Sequence, residues 1–332
     1  MTRVSVLACL VLSGIACTQT SQPLIELPAH FPEPVYQFKG NPVSQAGIDL
    51  GKLLFNDPLL SADSTIACAS CHHQAFAFAD GGKALSTGIK NQKGRRNAPG
   101  IFNVQWHPYF MADGGVNHLE VMPLAPITDT LEMGESIRQM ITKLRRSTFY
   151  PAFFKSAFGT DSIYTRNVML ALAQYMGTLV SAHAKYDDVL QGKAKFTKEE
   201  SEGKKLFEQH CATCHAGVLF SDFKFRSNGL DTSFEKDRGR ARVTDTKADE
   251  GKFVTPSLRN VALTAPYMHD GRFETLSRVL QHYVHEIKPS AATDSILIKK
   301  KINLSAKQQQ AVIAFLHTLT DSAFITNKKL VP

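Results

Sequence analysis

Two five-residue runs, Cys68-Ala69-Ser70-Cys71-His72 and Cys211-Ala212-Thr213-Cys214-His215, constrain this chain more than any other feature. At the chain's own cysteine and histidine frequencies, chance would give roughly 0.004 such runs, so two are not accidental. Two thiols at this spacing meet the two vinyl groups of one haem, and the adjoining histidine then falls beneath the iron as its proximal ligand. Cys68, Cys71, Cys211 and Cys214 are therefore expected as thioether anchors of two covalent haem c groups, with His72 and His215 on the irons. A four-cysteine zinc site across the 143-residue offset would ignore both trailing histidines. A redox dithiol would want a βαβ pattern, which the sequence lacks.

Of six cysteines in 332 residues only Cys9 and Cys17 remain, too few for a disulfide-built scaffold. Residues 1–16 read as a signal peptide: Arg3, the apolar run Val4 to Leu12, then small residues to Ala16. Cys17 directly after Ala16 resembles a bacterial lipoprotein site, although Gly14 stands where a leucine is usual. Lipidation at Cys17 would tether a soluble body to a membrane through the acyl anchor alone. The expected location is the periplasm or cell envelope, which agrees with attachment of c-type haem outside the cytoplasm. No run of 18 apolar residues reads as a membrane span. The formal charge of +8 falls to +7 once Arg3 is removed. With haem propionates against ferric cores it settles near about +5. The basic runs are short and carry no interleaved aromatics, so no nucleic-acid partner is expected.

An internal repeat accompanies the two motifs. Gly51-Lys52-Leu53-Leu54-Phe55 precedes the first and Gly203-Lys204-Lys205-Leu206-Phe207 the second, each a short helical pattern. Val168, Leu172, Tyr175, Met176 and Leu179 follow the spacing of an amphipathic helix, as do Val312, Phe315, Leu316 and Leu319. Strand patterns are sparse. The expected fold is mostly α, two cytochrome c-type haem domains with long ordered loops at 94–134 and 254–271. Gly192 to Thr197 is the expected joint. The division is 17–40 as an N-terminal tether, 41–192 and 193–332 as the two haem domains.

Several further motifs lie in a fixed order: Arg96-Asn97-Ala98-Pro99, Asp113-Gly114-Gly115, Pro126-Ile127, Leu131-Glu132-Met133-Gly134, Pro256-Ser257-Leu258-Arg259-Asn260 and Leu263-Thr264-Ala265-Pro266-Tyr267-Met268-His269-Asp270-Gly271. With the haem motifs they make the chain resemble the bacterial di-haem cytochrome c peroxidase family, which includes the MauG-type enzymes, from about Asn41 to Leu319. The resemblance implies that the haem over His72 is peroxidatic and the haem over His215 transfers electrons. It implies Glu132 as the distal catalytic acid, moving a proton between the peroxide oxygens. Met122 stands where the family has a distal glutamine, and Pro126 would line the same pocket. The loop that in many members carries a closing histidine is here residues 86–94, around Ile89, and holds none, so the first iron is expected to stay open. His73 falls on the proximal side, and His107 reaches only if its loop folds back.

For the second iron the candidates are Met268, His269, His282, Tyr283 and His285. MauG-type proteins have a tyrosine where Tyr283 stands, so Tyr283 is the expected ligand and Met268 the alternative. A phenolate lowers the potential and a thioether raises it. The family also implies one calcium ion, at Asn97, Thr264 and Pro266. Ala112 stands where the family usually has a tryptophan between the haems, and the only tryptophan, Trp106, is expected to pack in a loop. The expected function is reduction of hydrogen peroxide to water with electrons from a small c-type cytochrome or similar donor, as a possible homodimer. The alternatives are a MauG-like oxidase acting on a protein or small molecule, and a di-haem electron carrier without enzymatic activity.

Overall fold

The computed structural model describes residues 23–332. The signal segment and Cys17 lie outside the described residues. Helices dominate: α1 (Gln45–Asn56), α2 (Leu124–Thr128), α3 (Ile137–Arg146), α4 (Tyr150–Phe158), α5 (Thr165–Gly177), α6 (Lys185–Leu190), α7 (Lys198–His210), α8 (Ala241–Thr244), α9 (Leu276–Gln281), α10 (Ser295–Lys299), α11 (Ala306–His317) and α12 (Ser322–Thr326). One antiparallel pair, β1 (Phe225–Arg226) with β2 (Phe253–Val254), is the only sheet among the described residues.

The internal repeat is the organising device. α1 starts at Ser44, whose hydroxyl accepts from the Gly47 N–H, and α7 starts at Thr197 in a reciprocal cap with Glu200. Each helix then crosses a late partner, α1 on α5 and α7 on α11. Gly51 and Gly203 lie at the crossings. A Cβ at Gly51 would run into the Ala171 carbonyl and the Tyr175 side chain; at Gly203 it would meet the Ala311 carbonyl and Phe315. The repeat thus includes its partners: the Ala–Tyr pair of α5 answers the Ala–Phe pair of α11 at the same four-residue interval. Leu54 and Phe55 are buried in one core, Leu206 and Phe207 in the other.

The first core gathers α1, α3, α4 and α5; the second gathers α7, α9 and α11. α5 is buried all round rather than along one stripe, because α1 covers one side and residues such as Phe38 the other. α6, on the near side of Gly192–Thr197, belongs in space with the second core: Tyr186 packs edge-on to Phe220 at 4.8 Å.

The two cores are locked by buried polar contacts. Ser181 exchanges hydrogen bonds with Asn103 and takes one from Asn260, whose Oδ1 accepts from Asp321. Arg259, 1% exposed, makes a two-pronged ion pair with buried Asp187, at 2.7 and 2.9 Å, and donates to the Val218 carbonyl. The segment before α1 packs across both halves. His30 reaches Asp187 at 2.9 Å, Phe31 lies under the Arg259 guanidinium, and Tyr36 donates to Glu120. Trp106 packs edge-on to Phe31 and donates to the Pro32 carbonyl at 2.7 Å, a structural role in a loop.

Candidate functional site

Both Cys-x-x-Cys-His runs sit in the same local frame. Cys68–Ser70 forms a single 3-10 turn; Cys211 caps the C-terminus of α7. The two pairs lie in different cores, so they form no joint four-cysteine site, and none of the four is in a disulfide. Burial pushes the Cys68 and Cys211 thiols up to about 12, the opposite of what a thiolate metal site needs.

The proximal histidines are pre-set. His72 Nδ1 lies 2.6 Å from the Phe78 carbonyl and His215 Nδ1 lies 3.1 Å from the Phe220 carbonyl. Each imidazole therefore donates from Nδ1 and leaves Nε2 as the free lone pair, the tautomer an iron ligand requires. Burial holds both rings below the usual histidine range, hence neutral. The two accepting phenylalanines share an uncommon backbone, φ +57° at Phe78 and +52° at Phe220. A bulky residue in that region is strained by about 1–3 kcal/mol, tolerated where surrounding structure over-determines it. These residues are not singled out by the sequence reasoning above. Their trace was available as a second repeat, Phe78-Ala79-Asp80 and Phe220-Ser221-Asp222, shortly after each histidine. Paired thiols, a fixed tautomer and duplicated carbonyl acceptors fit one covalent haem at each motif.

Glu132 lies in a turn built by its neighbours. Asp129 accepts from the Leu131 N–H with its side chain and from Glu132 and Gly134 with its carbonyl. Residues 86–94 close on themselves and press on this turn, with the Ile89 N–H donating to the Glu132 carbonyl at 2.8 Å. The charge of Glu132 reaches both Cys68 and Cys71. Glu132 is exposed to solvent on one side; partial desolvation in the turn, then the charge of Asp129, raises its pKa, and Arg95, paired with Asp129 at 2.6 Å, opposes this. Met122 packs on the first core and Pro126 accepts from the Met133 N–H beneath the same turn.

At the second motif, α9 runs into a π-turn, His282–Glu286, which carries Tyr283. Such turns frequently mark functional sites because they re-aim a side chain. Burial pushes the Tyr283 phenol up to about 12; the Asn228 amide opposes it, and the charges of Cys211 and Cys214 reach it. Asn228 also donates to Met268 Sδ at 3.3 Å. The two ligand candidates thus converge on one side chain that the sequence reading does not include. The other three are engaged elsewhere: His282 bonds the Asn228 carbonyl, His269 stacks on Phe253 at 4.1 Å, and His285 lies on the exposed side of the turn.

Spare histidines go the same way. His73 faces Asp80 at 3.7 Å. His107 is pressed against Phe223 and driven down to about 4 by burial alone. Asn97 donates its side-chain amide to the Lys83 and Ala84 carbonyls and its backbone N–H to His269, while Ala265 accepts from Gly82. This brings Asn97 beside the Thr264–Pro266 segment. The Ala112 carbonyl takes the Val254 N–H, and Arg96 bridges Asp113 and Asp237 across the junction while lying over Phe253.

Comparison with known proteins agrees with this geometry. Residues 45–195 match the family model described as di-haem cytochrome c peroxidase, and residues 200–320 match that for cytochrome c. The chain is 34% identical over 321 residues to the methylamine utilization protein MauG of Methylorubrum extorquens, covering 94% of this chain and 89% of that one. It is 32% identical over 295 residues to cytochrome c551 peroxidase of Nitrosomonas europaea, covering 87% and 84%. Among solved structures, a MauG-like protein associated with microbial copper homeostasis superposes with a TM-score of 0.85 at 32% identity, over 92% of this chain and 97% of that one. The diheme peroxidase BthA from Burkholderia thailandensis, at 23% identity and TM-score 0.75 over 86% and 88%, shares the fold. Two cytochrome c-type domains, each with its thioether motif, imply two covalent haem c groups. The chain belongs to the di-haem cytochrome c peroxidase and MauG family.

Proposed function

We propose that this chain is an exported di-haem enzyme that reduces hydrogen peroxide to water at the haem over His72, drawing two electrons through the haem over His215. Bound haem supplies the redox-active iron; the rest is done by the chain. His72 and His215 hold the irons from below, as neutral imidazoles fixed by Phe78 and Phe220. Glu132 accepts a proton from the near peroxide oxygen and returns it to the far one, which then leaves as water. Its pKa is shifted upward, the direction that favours returning the proton. With two protons and two electrons, one peroxide gives two waters. Tyr283 would hold the second iron, with Met268, which accepts from the Asn228 amide, as the alternative. Asn97, Thr264 and Pro266 supply oxygen donors suited to calcium between the domains. Lipidation at Cys17 would keep the enzyme at a membrane.

The single observation that carries the reading is asymmetry at like positions. The two proximal sides are duplicates, while one distal side offers a carboxylate and the other a phenol. Tyr283, and the histidine-free loop at 86–94 around Ile89, favour a second reading in which the electrons come from oxidation of a protein or small molecule, as in MauG-type members. Spectroscopy of the purified ferric protein tests both. One high-spin and one low-spin haem, with peroxide reacting before any reduction, is the expected result. Two low-spin haems without peroxide turnover would make the chain an electron carrier. Steady-state turnover with a reduced c-type cytochrome, or its absence, separates the two enzymatic readings.

A further inference from the structure

The charge of this chain is confined to one half. Residues 193–332 hold 23 Lys and Arg against 16 Asp and Glu, a net +7, whereas residues 1–192 hold 15 against 14, one of the 15 being Arg3 of the signal segment. One haem per domain leaves this asymmetry in place. Within the basic half, unpaired charge collects beside the second haem motif. Lys300 donates its ammonium to the Gln209 carbonyl, two residues before Cys211, and its charge acts on Cys211. Lys299 and Lys301 flank it at the end of α10, both exposed, and Ile298 beside them is an exposed apolar residue. Lys224 is exposed and its charge reaches Cys214. None of these four lysines is in an ion pair among the described residues. The acids near Cys214, Asp222 and Asp294, share one partner, Arg226, so four lysines face a single uncompensated acid charge there. Thr213, between the two cysteines, is exposed, so this surface lies directly over the attachment site.

We propose that the face formed by Lys224, Ile298, Lys299, Lys300 and Lys301 is the docking surface for an acidic redox protein that delivers electrons to the second haem. The proposal rests on the peroxide-reducing reading above and names the class of its electron donor. A small apolar spot ringed by unpaired lysines is what a transient electron-transfer contact needs: charge steers the encounter, and the weak apolar centre lets the partner leave. Each productive encounter passes one electron from the donor to the second haem, and two such encounters match one peroxide.

The test uses the full di-haem protein and stopped-flow reduction of the second haem. The donors are a reduced acidic plant-type ferredoxin, a basic mitochondrial-type cytochrome c, and an uncharged hydroquinone. The ferredoxin rate is expected to fall steeply with added salt while the cytochrome rate is flat or rises. The double variant K299E/K301E, which spares the Lys300 contact with Gln209, is expected to slow ferredoxin at least tenfold at low salt and flatten its salt dependence. Hydroquinone reduction and the haem spectra stay as in the parent, which shows intact folding and haem. A matched pair at the other half, R138E/K155E, should change nothing. An unchanged ferredoxin rate in K299E/K301E overturns the proposal. So does a variant that keeps its ferredoxin rate but no longer sediments with vesicles of anionic phosphatidylglycerol, since the face would then be a lipid contact. The ferric protein's reaction with peroxide is measured separately. Its absence would sink the peroxidase reading while leaving the docking result to stand on the reduction rates.

Discussion

Asn228 is the most informative residue to remove. Left to its surroundings the Tyr283 phenol titrates at about 12. Under the proposed ligation, the iron would have to hold the phenolate against that burial. The Asn228 amide supplies part of the stabilisation of the charged form. A hydrogen bond to a charged group is worth about 1.5–3 kcal/mol, or roughly one to two pH units. The sign follows directly. The ligating form is the deprotonated one, so acidification releases the tyrosine, and anything that stabilised the phenolate held that release to lower pH. Asn228→Ala is therefore expected to raise the midpoint of the acid transition by roughly one to two units. The assay is a pH titration of the ferric low-spin signal, followed by absorbance and electron paramagnetic resonance. Tyr283→Phe run beside it should abolish the transition and raise the second haem's potential, as Met268 or no ligand takes the place. The same midpoint in Asn228→Ala as in the parent would refute the argument. A low-spin signal insensitive to pH would refute it more deeply, because a thioether does not titrate and Met268 would then be the ligand.

Other perturbations follow from the same geometry. Glu132→Gln should lower the second-order rate of peroxide reaction by roughly 10²- to 10⁴-fold with both haem spectra intact. In the parent that rate should decline as pH falls through a midpoint above the usual carboxylate range, because only the ionised acid takes the proton. Gly203→Ala places a methyl on the Ala311 carbonyl, and an overpacking cost of about 1–3 kcal/mol should appear in denaturant unfolding; Gly51→Ala should behave alike at α5. Arg259→Met leaves the Asp187 carboxylate buried with only His30 and the Ala184 N–H beside it, and should cost about 3–5 kcal/mol in the same assay.

How much of this was legible beforehand depends on the range of the interactions. The haem motifs, their histidines and the Gly-Lys-x-Leu-Phe repeat are local, and local spacing carries their chemistry. Gly51 and Gly203 were visible as repeat members, but their purpose was not, since the carbonyls they approach belong to residues 120 and 108 positions later. Phe78 and Phe220 were hidden because the operative group is a backbone carbonyl, which side-chain identity does not advertise. Asn228 was hidden for another reason: it meets Met268 and Tyr283 only after residues 227–231 and 267–283 fold together, so no spacing rule reaches it. The segment before α1 was expected as a tether, and its alternation of polar and aromatic residues gave no periodicity. Its order comes from His30 and Phe31 capping a buried ion pair that itself joins residues 72 apart.

Charge also fixes the junction between the two halves. Beside Ala112 the junction is fixed by charge: Arg96 bridges Asp113 and Asp237 and lies 5.3 Å over Phe253, which stacks on His269. Buried charge pairs hold a geometry more firmly than they stabilise a fold, because any displacement strands a charge in low dielectric. Arg259 with Asp187 is such a pair; the neutral Asn103–Ser181–Asn260 knot and the part-buried Arg96 bridge add directional hydrogen bonds along the same seam. Two halves built on duplicated proximal frames thus meet through contacts that have no counterpart in the repeat. A seam of this kind resists sliding of one half against the other, because any displacement strands Arg259 or Asp187 without its partner.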